Sequence, residues 1–267
     1  MSLFTWTLAF STIAAVAPAP EAQLRLAALV SAVRSADYRG DRPALARLDA
    51  ELDALDAGPL TDYRLYWQGF ARWRRAMNGM NETPAPADLA GDLEVALAYF
   101  QASLHRRPDW IEAKVGVAGC LGNLAYLQRD DPEKMQALMG DFAATYHWMD
   151  ANGRGNPRAL WILAGIEFFA PPPRGGDMAR AAATTGRGLE LSWQESAAGE
   201  APAWVPTWGG PEHLMNLGFM YSHAAAPDRT AALAYAQGAL TAVPEWHYVR
   251  DILIKQIEAL PAAAAAN

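Results

Sequence analysis

The chain has 267 residues, of which 52 % are hydrophobic and 19 % are charged, so it can bury a core and is not disordered overall. Its formal net charge of −7 and its pI of about 5.2 argue against a nonspecific nucleic-acid or anionic-membrane binder, because those proteins need a basic surface. The single cysteine, Cys120, excludes an internal disulfide framework and a cysteine-rich metal site. Its small, apolar neighbours favour a buried thiol over a reactive one.

Residues 1–22 have the pattern of a secretory signal peptide. Residues 3–17 form an apolar run that is too short for a comfortable membrane span, and small residues follow it. The start is atypical, because no Lys or Arg precedes the run. The sequence therefore predicts export to a periplasm-like space. An apolar first helix and an uncleaved anchor are the alternatives.

Beyond the leader, apolar residues recur at helical spacing and alternating strand patterns are absent. Asp131, Asn156 and Asp177 stand where helix N-caps are expected, and Pro132 and Pro157 follow two of them as first helical residues. Irregular segments are predicted at 171–176 and 196–210. The predicted helices are 24–38, 43–55, 62–78, 88–107, 109–128, 132–151, 157–169, 177–195, 211–223, 228–242 and 245–260.

One helical segment is repeated in the sequence, at residues 96–110 and at residues 232–246. Each copy describes an amphipathic helix that ends before a proline, followed by an acidic residue and Trp. A recurring helical unit indicates a stacked array, because a single helical pair cannot bury its apolar face alone. We therefore expect one all-α helical-repeat domain over residues 23–260, followed by a disordered tail at 261–267.

Motifs within these helices resemble tetratricopeptide repeats. The first-helix pattern stands at 214–221 and, with two substitutions, at 161–168, and each contains a glycine, Gly218 or Gly165. Second-helix matches lie in 96–108 and 232–244. The resemblance covers much of the chain, although the loops within the units are longer than in the family. It implies a right-handed superhelix of antiparallel helix pairs, a TPR-like α-solenoid that holds a protein or peptide on its concave face.

The second half is also similar to exported bacterial repeat proteins of unassigned activity. That similarity rests on Asn156-Pro157-Arg158, on Gly175-Gly176-Asp177 and on the segment 206–209. This similarity implies a helical-repeat fold and export from the cytoplasm, but it identifies no activity.

Candidate partner-binding residues follow from the register of the first helices. Arg72 and Arg75 would form a basic end of the concave groove, and Phe169, Met215 and Phe219 an apolar, aromatic end. Such a groove would take a peptide carboxylate at one end and an apolar side chain at the other. The alternative is that the arginines form a solvated face and that Phe169 and Phe219 belong to the core.

Three further residues complete the candidate set. Asn123 lies one turn along the same groove, and Arg158 near a helix N-terminus could bind an anion or serve only the helix start. Trp208, beside Gly209, could stack on a ligand as part of a lid formed with the loop 171–176, or could anchor a buried loop. The lid version supports the alternative function, a periplasmic small-ligand-binding or transport-accessory protein.

The five histidines form no tight metal pair, so neither a metal nor another cofactor is predicted. A His–Glu pair such as Glu212-His213 could act as a general base, but no nucleophile stands beside it. We therefore predict a protein that is not an enzyme, with a protein or peptide partner, no nucleic acid and no membrane span beyond the leader.

Overall fold

The computed structural model describes residues 20–199 and 201–261, and every regular element in these two ranges is helical. The predicted all-α class is therefore confirmed. Residues 1–19 of the predicted leader 1–22 and residues 262–267 of the predicted tail 261–267 lie outside the described residues.

Eleven α-helices follow one another in the described ranges, and a π-helical turn at Tyr248–Leu253 runs directly into the last. Every predicted helix is present, with ends displaced by a few residues. The helices are α1 Pro20–Tyr38, α2 Arg42–Asp53, α3 Thr61–Gly79, α4 Leu89–Arg106, α5 Ile111–Leu127, α6 Pro132–Asn152, α7 Pro157–Phe169, α8 Met178–Ala198, α9 Gly210–His223, α10 Arg229–Ala242 and α11 Ile254–Glu258.

The helix starts are set by local chemistry. The side chains of Asp131, Asn156 and Asp177 each accept a hydrogen bond from the backbone N–H three residues ahead, which confirms the predicted caps of α6, α7 and α8. Pro132 and Pro157 occupy the first helical position, where the missing N–H costs nothing.

The two copies of the repeated segment bury equivalent positions. In α4, Phe100 is buried, and Ala236 takes the corresponding place in α10. The small side chain of Ala236 lets α9 approach α10 closely. A Cβ added to Gly218 of α9 would lie 3.2 Å from the backbone of Ala236. Gly165, the other predicted contact glycine, has nothing within 4 Å of such a Cβ. The remaining equivalent buried pairs are Ala96 with Ala232, Ser103 with Ala239 and Trp110 with Trp246.

Helices pack in the order of the chain. Each α-helix from α1 to α10 contacts the next, and α1, α3, α5, α7 and α9 also contact one another in succession. The approach of α5 to α3 is close because Gly119 lacks a side chain: a Cβ there would lie 2.2 Å from the ring of Trp73.

The two ends of the described chain also meet. The rings of Tyr38 in α1 and Trp246 lie 5.1 Å apart in an edge-to-face arrangement. The Tyr38 hydroxyl donates a 2.7 Å hydrogen bond to Oε1 of Glu212 at the start of α9. The first helix is therefore tied to the last third of the chain by a ring contact and a buried hydrogen bond.

Candidate functional site

The loop that follows α8 packs against α3. The indole N–H of Trp67 donates to the carbonyl of Trp204 at 2.7 Å, and the indole N–H of Trp208 donates to the hydroxyl of Tyr66 at 2.8 Å. Both contacts join this loop to α3. Gln68 of α3 and Cys120 of α5, which the helical register would direct toward the predicted groove, are fully buried. No open concave groove is available at these positions.

Trp208 is a core residue and not a surface platform. Its side chain is 1 % exposed, and its ring lies 5.8 Å from the rings of Phe70 and Trp161 and 6.2 Å from that of Trp73. A ligand therefore cannot stack on this ring. Trp208 therefore anchors a buried loop and does not form a ligand-stacking lid.

Arg158 is likewise an interior residue, 3 % exposed. Its guanidinium donates two hydrogen bonds to the Glu195 carboxylate, at 2.7 and 2.8 Å, one to Glu112 at 2.7 Å, and one to the carbonyl of Trp208 at 3.1 Å. Burial lowers the pKa of Arg158, but the charge of Glu112 and the bonds to both carboxylates outweigh it and raise the pKa. With its donors engaged inside the fold, Arg158 offers no anion site to a partner.

Arg72 and Arg75 belong to an ionic network between α2, α3 and α4. Arg72 donates to Asp49 at 2.6 Å and to Asp92 at 3.2 Å, and Arg75 pairs with Asp92 and with Asp88, the latter at 2.5 Å. The predicted basic end is therefore neutralised by three carboxylates of the same chain. It presents no excess positive charge to a peptide carboxylate.

Two of the remaining candidates lie on different helices, Met215 on α9 and Asn123 on α5. Met215 is buried in the core cluster that contains Tyr38 and Trp246. Asn123 is half-buried on α5, and its side chain forms no hydrogen bond with residues 20–199 or 201–261.

Phe169 and Phe219 are brought together at the surface. Their ring centroids lie 5.9 Å apart, and Phe169 is 71 % exposed. Phe168 contacts both rings, at 5.0 and 5.8 Å, and His223 stacks on Phe219 at 4.0 Å. We call Phe168, Phe169, Phe219 and His223 the aromatic patch. It lies at the C-terminal ends of α7 and α9, and the sequence-based register found two of its four members.

The patch has a polar edge at His223. The Nδ1 atom of His223 lies 3.0 Å from the Phe219 carbonyl and 2.8 Å from the Ser222 hydroxyl. Because Nδ1 is engaged inside the chain and the residue is exposed, Nε2 is the ring nitrogen left for an external hydrogen bond.

His213, a member of the Glu212-His213 pair considered as a general base, is buried. Its Nε2 lies 2.9 Å from the carbonyl of Pro157, and burial lowers its pKa to about 4. Its Nδ1 has no hydrogen-bond partner among the described atoms. A fully enclosed imidazole without a path to solvent cannot take a proton from a bound substrate, so the geometry offers no catalytic role for it.

Within the described ranges, no three His, Cys, Asp or Glu side chains are grouped to hold a metal ion. Burial raises the pKa of the Cys120 thiol well above its ordinary value, as expected of the predicted inert, buried residue.

Two exposed features were missed by the sequence reasoning. Phe168 and His223 flank the predicted Phe169 and Phe219, and helical spacing of four residues between Phe219 and His223 was the available signal. A cleft between α1 and residues 201–207 had no signal in the sequence, because its two walls are far apart along the chain.

Comparison with protein-family models, with curated proteins and with solved structures finds no match to this chain. None of the described helices has the length and apolar character needed to cross a membrane.

Proposed function

We propose that the chain is a non-enzymatic, protein-binding scaffold of TPR-like helical-repeat type, and that the aromatic patch is its partner-binding surface. The single observation that carries this proposal is the clustering of three phenylalanine rings, of which Phe169 is 71 % exposed and Phe168 and Phe219 are half-buried. Exposing adjoining large rings to water is costly, and such patches mark interaction sites.

The partner surface proposed here differs from the concave face predicted from the register. The loop 201–209 packs against α3, where the register predicted an open groove. At the ends of α7 and α9, by contrast, Phe169 is exposed beside the half-buried Phe168 and Phe219. The succession of contacts between the odd-numbered helices supports a helical-repeat array. Export of the protein remains a prediction from residues 1–22.

The chemistry of the patch selects the kind of partner. Its rings offer apolar faces and edges to aliphatic or aromatic side chains, and Nε2 of His223 offers one hydrogen bond at the edge. We therefore expect a different protein that presents an apolar segment next to a polar group. The patch would form the buried centre of a larger interface.

Site-specific photo-crosslinking tests the proposal. The photoreactive residue p-benzoylphenylalanine, which is similar in shape to Phe, replaces Phe169 in one variant and Tyr126 in a control. Tyr126 is 59 % exposed on α5 and lies outside the patch. We expect a covalent adduct with another protein from position 169, and none of that adduct from position 126.

Three results would contradict the proposal. They are no adduct from position 169, the same adducts from both positions, or an adduct only with a second copy of the chain.

A further inference from the structure

A second surface feature is a cleft of about 370 Å³ between α1 and the loop after α8. Ala27 and Val30 of α1 form part of one wall, and Pro202 and Ala203 part of the other. Small-molecule sites in proteins begin at about 300 Å³, so the cleft is of the size that holds an amino acid or a dipeptide.

The described residues that line the cleft include one charge of each sign. Arg34 of α1 and Glu245 after α10 both line it. Neither side chain forms a hydrogen bond or ion pair with any residue in 20–199 or 201–261, although Arg34 is half-buried. The half-buried Arg34 guanidinium and the Glu245 carboxylate thus line the cleft without a charge partner among residues 20–199 and 201–261.

The nearby buried acid does not use Arg34. Tyr38 lines the cleft and donates its hydroxyl hydrogen to Oε1 of Glu212, and the backbone N–H of Gly209 donates to Oε2 at 2.8 Å. Each oxygen of Glu212 therefore has a donor already. No described residue therefore occupies the guanidinium of Arg34.

Tertiary contacts hold both walls in place. The Tyr38–Trp246 ring contact positions the adjacent Glu245 beside α1. The hydrogen bond from Trp67 to the carbonyl of Trp204, together with the burial of Pro206, holds the loop. A site built between fixed walls loses less conformational entropy on binding than a mobile one.

We propose that this cleft binds a small zwitterion of the α-amino acid or dipeptide class. Arg34 holds the carboxylate, Glu245 holds the ammonium group, and the apolar walls contact the side chain. This site is separate from the aromatic patch and does not depend on the proposed protein partner.

Isothermal titration calorimetry with four probes tests the ligand class. The probes are L-leucine, L-leucyl-L-leucine, N-acetyl-L-leucine, which lacks the ammonium group, and L-leucinamide, which lacks the carboxylate. We expect saturable binding of at least one zwitterion, and binding of the acetyl and amide compounds weakened by about tenfold or more.

Two variants and two matched controls assign the charges. Arg34→Gln and Glu245→Gln should each weaken the zwitterion by about tenfold or more, whereas Arg25→Gln on α1 and Glu258→Gln on α11 should not. Arg34→Gln should also abolish the preference for L-leucine over its amide. Unchanged thermal unfolding of both variants shows that folding is not the cause.

The proposal fails if no probe binds saturably, or if neither variant weakens binding. An effect of only one of the two variants would show that the site recognises only one of the probe's two charges and would also overturn the proposal.

Discussion

Trp208 donates its indole N–H to the hydroxyl of Tyr66 at 2.8 Å, across 142 positions of the chain. Both residues are buried, so water cannot replace either partner of this hydrogen bond. This hydrogen bond joins the loop after α8 to α3, and together with the Trp67–Trp204 hydrogen bond it holds the loop against that helix.

We expect Tyr66→Phe to reduce the free energy of unfolding by about 1–3 kcal/mol, because it leaves the buried indole N–H of Trp208 without an acceptor. Urea denaturation followed by tryptophan fluorescence measures the change. Tyr235→Phe is the matched control, since the Tyr235 hydroxyl makes no hydrogen bond to the described residues, and it should stay within about 0.5 kcal/mol. Equal stability of the two variants would contradict the buried bond.

The close contact between α5 and α3 yields a second prediction. Gly119→Ala places a Cβ 2.2 Å from the Trp73 ring, so the ring or the helix must move. We expect a loss of about 1–3 kcal/mol in unfolding free energy from overpacking, which outweighs the better helix propensity of alanine.

Gly140→Ala on α6 is the control for that substitution. No atom lies within 4 Å of the added Cβ, so only helix propensity changes, and the unfolding free energy should rise by up to about 1 kcal/mol. Thermal unfolding should show a less stable Gly119→Ala protein and a more stable Gly140→Ala protein. A stabilised Gly119→Ala protein would show that α3 and α5 are not in this contact.

Acid sensitivity follows from His213. Burial lowers its folded pKa to about 4, below the unfolded value of 6.5, so the unfolded chain binds more protons between these values. Stability from the neutral imidazole is fully present above pH 6.5 and is lost as the pH falls toward 4. The loss over that range is on the order of 3 kcal/mol.

His213→Gln removes this titration and keeps a side-chain donor for the Pro157 carbonyl. The free energy of unfolding, measured by urea denaturation from pH 7 to pH 4.5, should therefore fall less steeply in the variant than in the parent. His105→Gln, on the exposed side of α4, should leave the parent's slope unchanged. Parallel pH profiles for the parent and His213→Gln would rule out the buried neutral histidine.

Arg158 supplies the fourth prediction. Arg158→Met removes the guanidinium and leaves the buried Glu112 carboxylate without its cation, so we expect a loss of about 3–5 kcal/mol in unfolding free energy. Arg187→Met removes an exposed arginine that pairs with Glu190 at 2.5 Å and should cost less than about 1 kcal/mol. Urea denaturation of both compares a buried with an exposed ion pair. Similar losses would indicate that Arg158 is solvated.

The candidate site shows that helical register predicts some surface residues correctly and others wrongly. Spacing along α7 and α9 placed Phe169 and Phe219 on one side, and the structure brings their rings together. The same reasoning assigned Arg72 and Arg75 to a partner, although Asp49, Asp88 and Asp92 neutralise them. Helical spacing describes a face but does not say which other segment covers it.

The sequence by itself determined the helices, their N-caps and the equivalent buried positions of the repeated segment. Those features depend on interactions between residues a few positions apart, as in the cap that Asp131 provides for α6. Only the tertiary structure decided that Trp208 and Arg158 are interior, that Phe169 is exposed, and that Arg34 and Glu245 share one cleft. The physical reason is that burial and ion pairing depend on contacts between segments far apart in the chain, and local patterns carry no information about which segments meet.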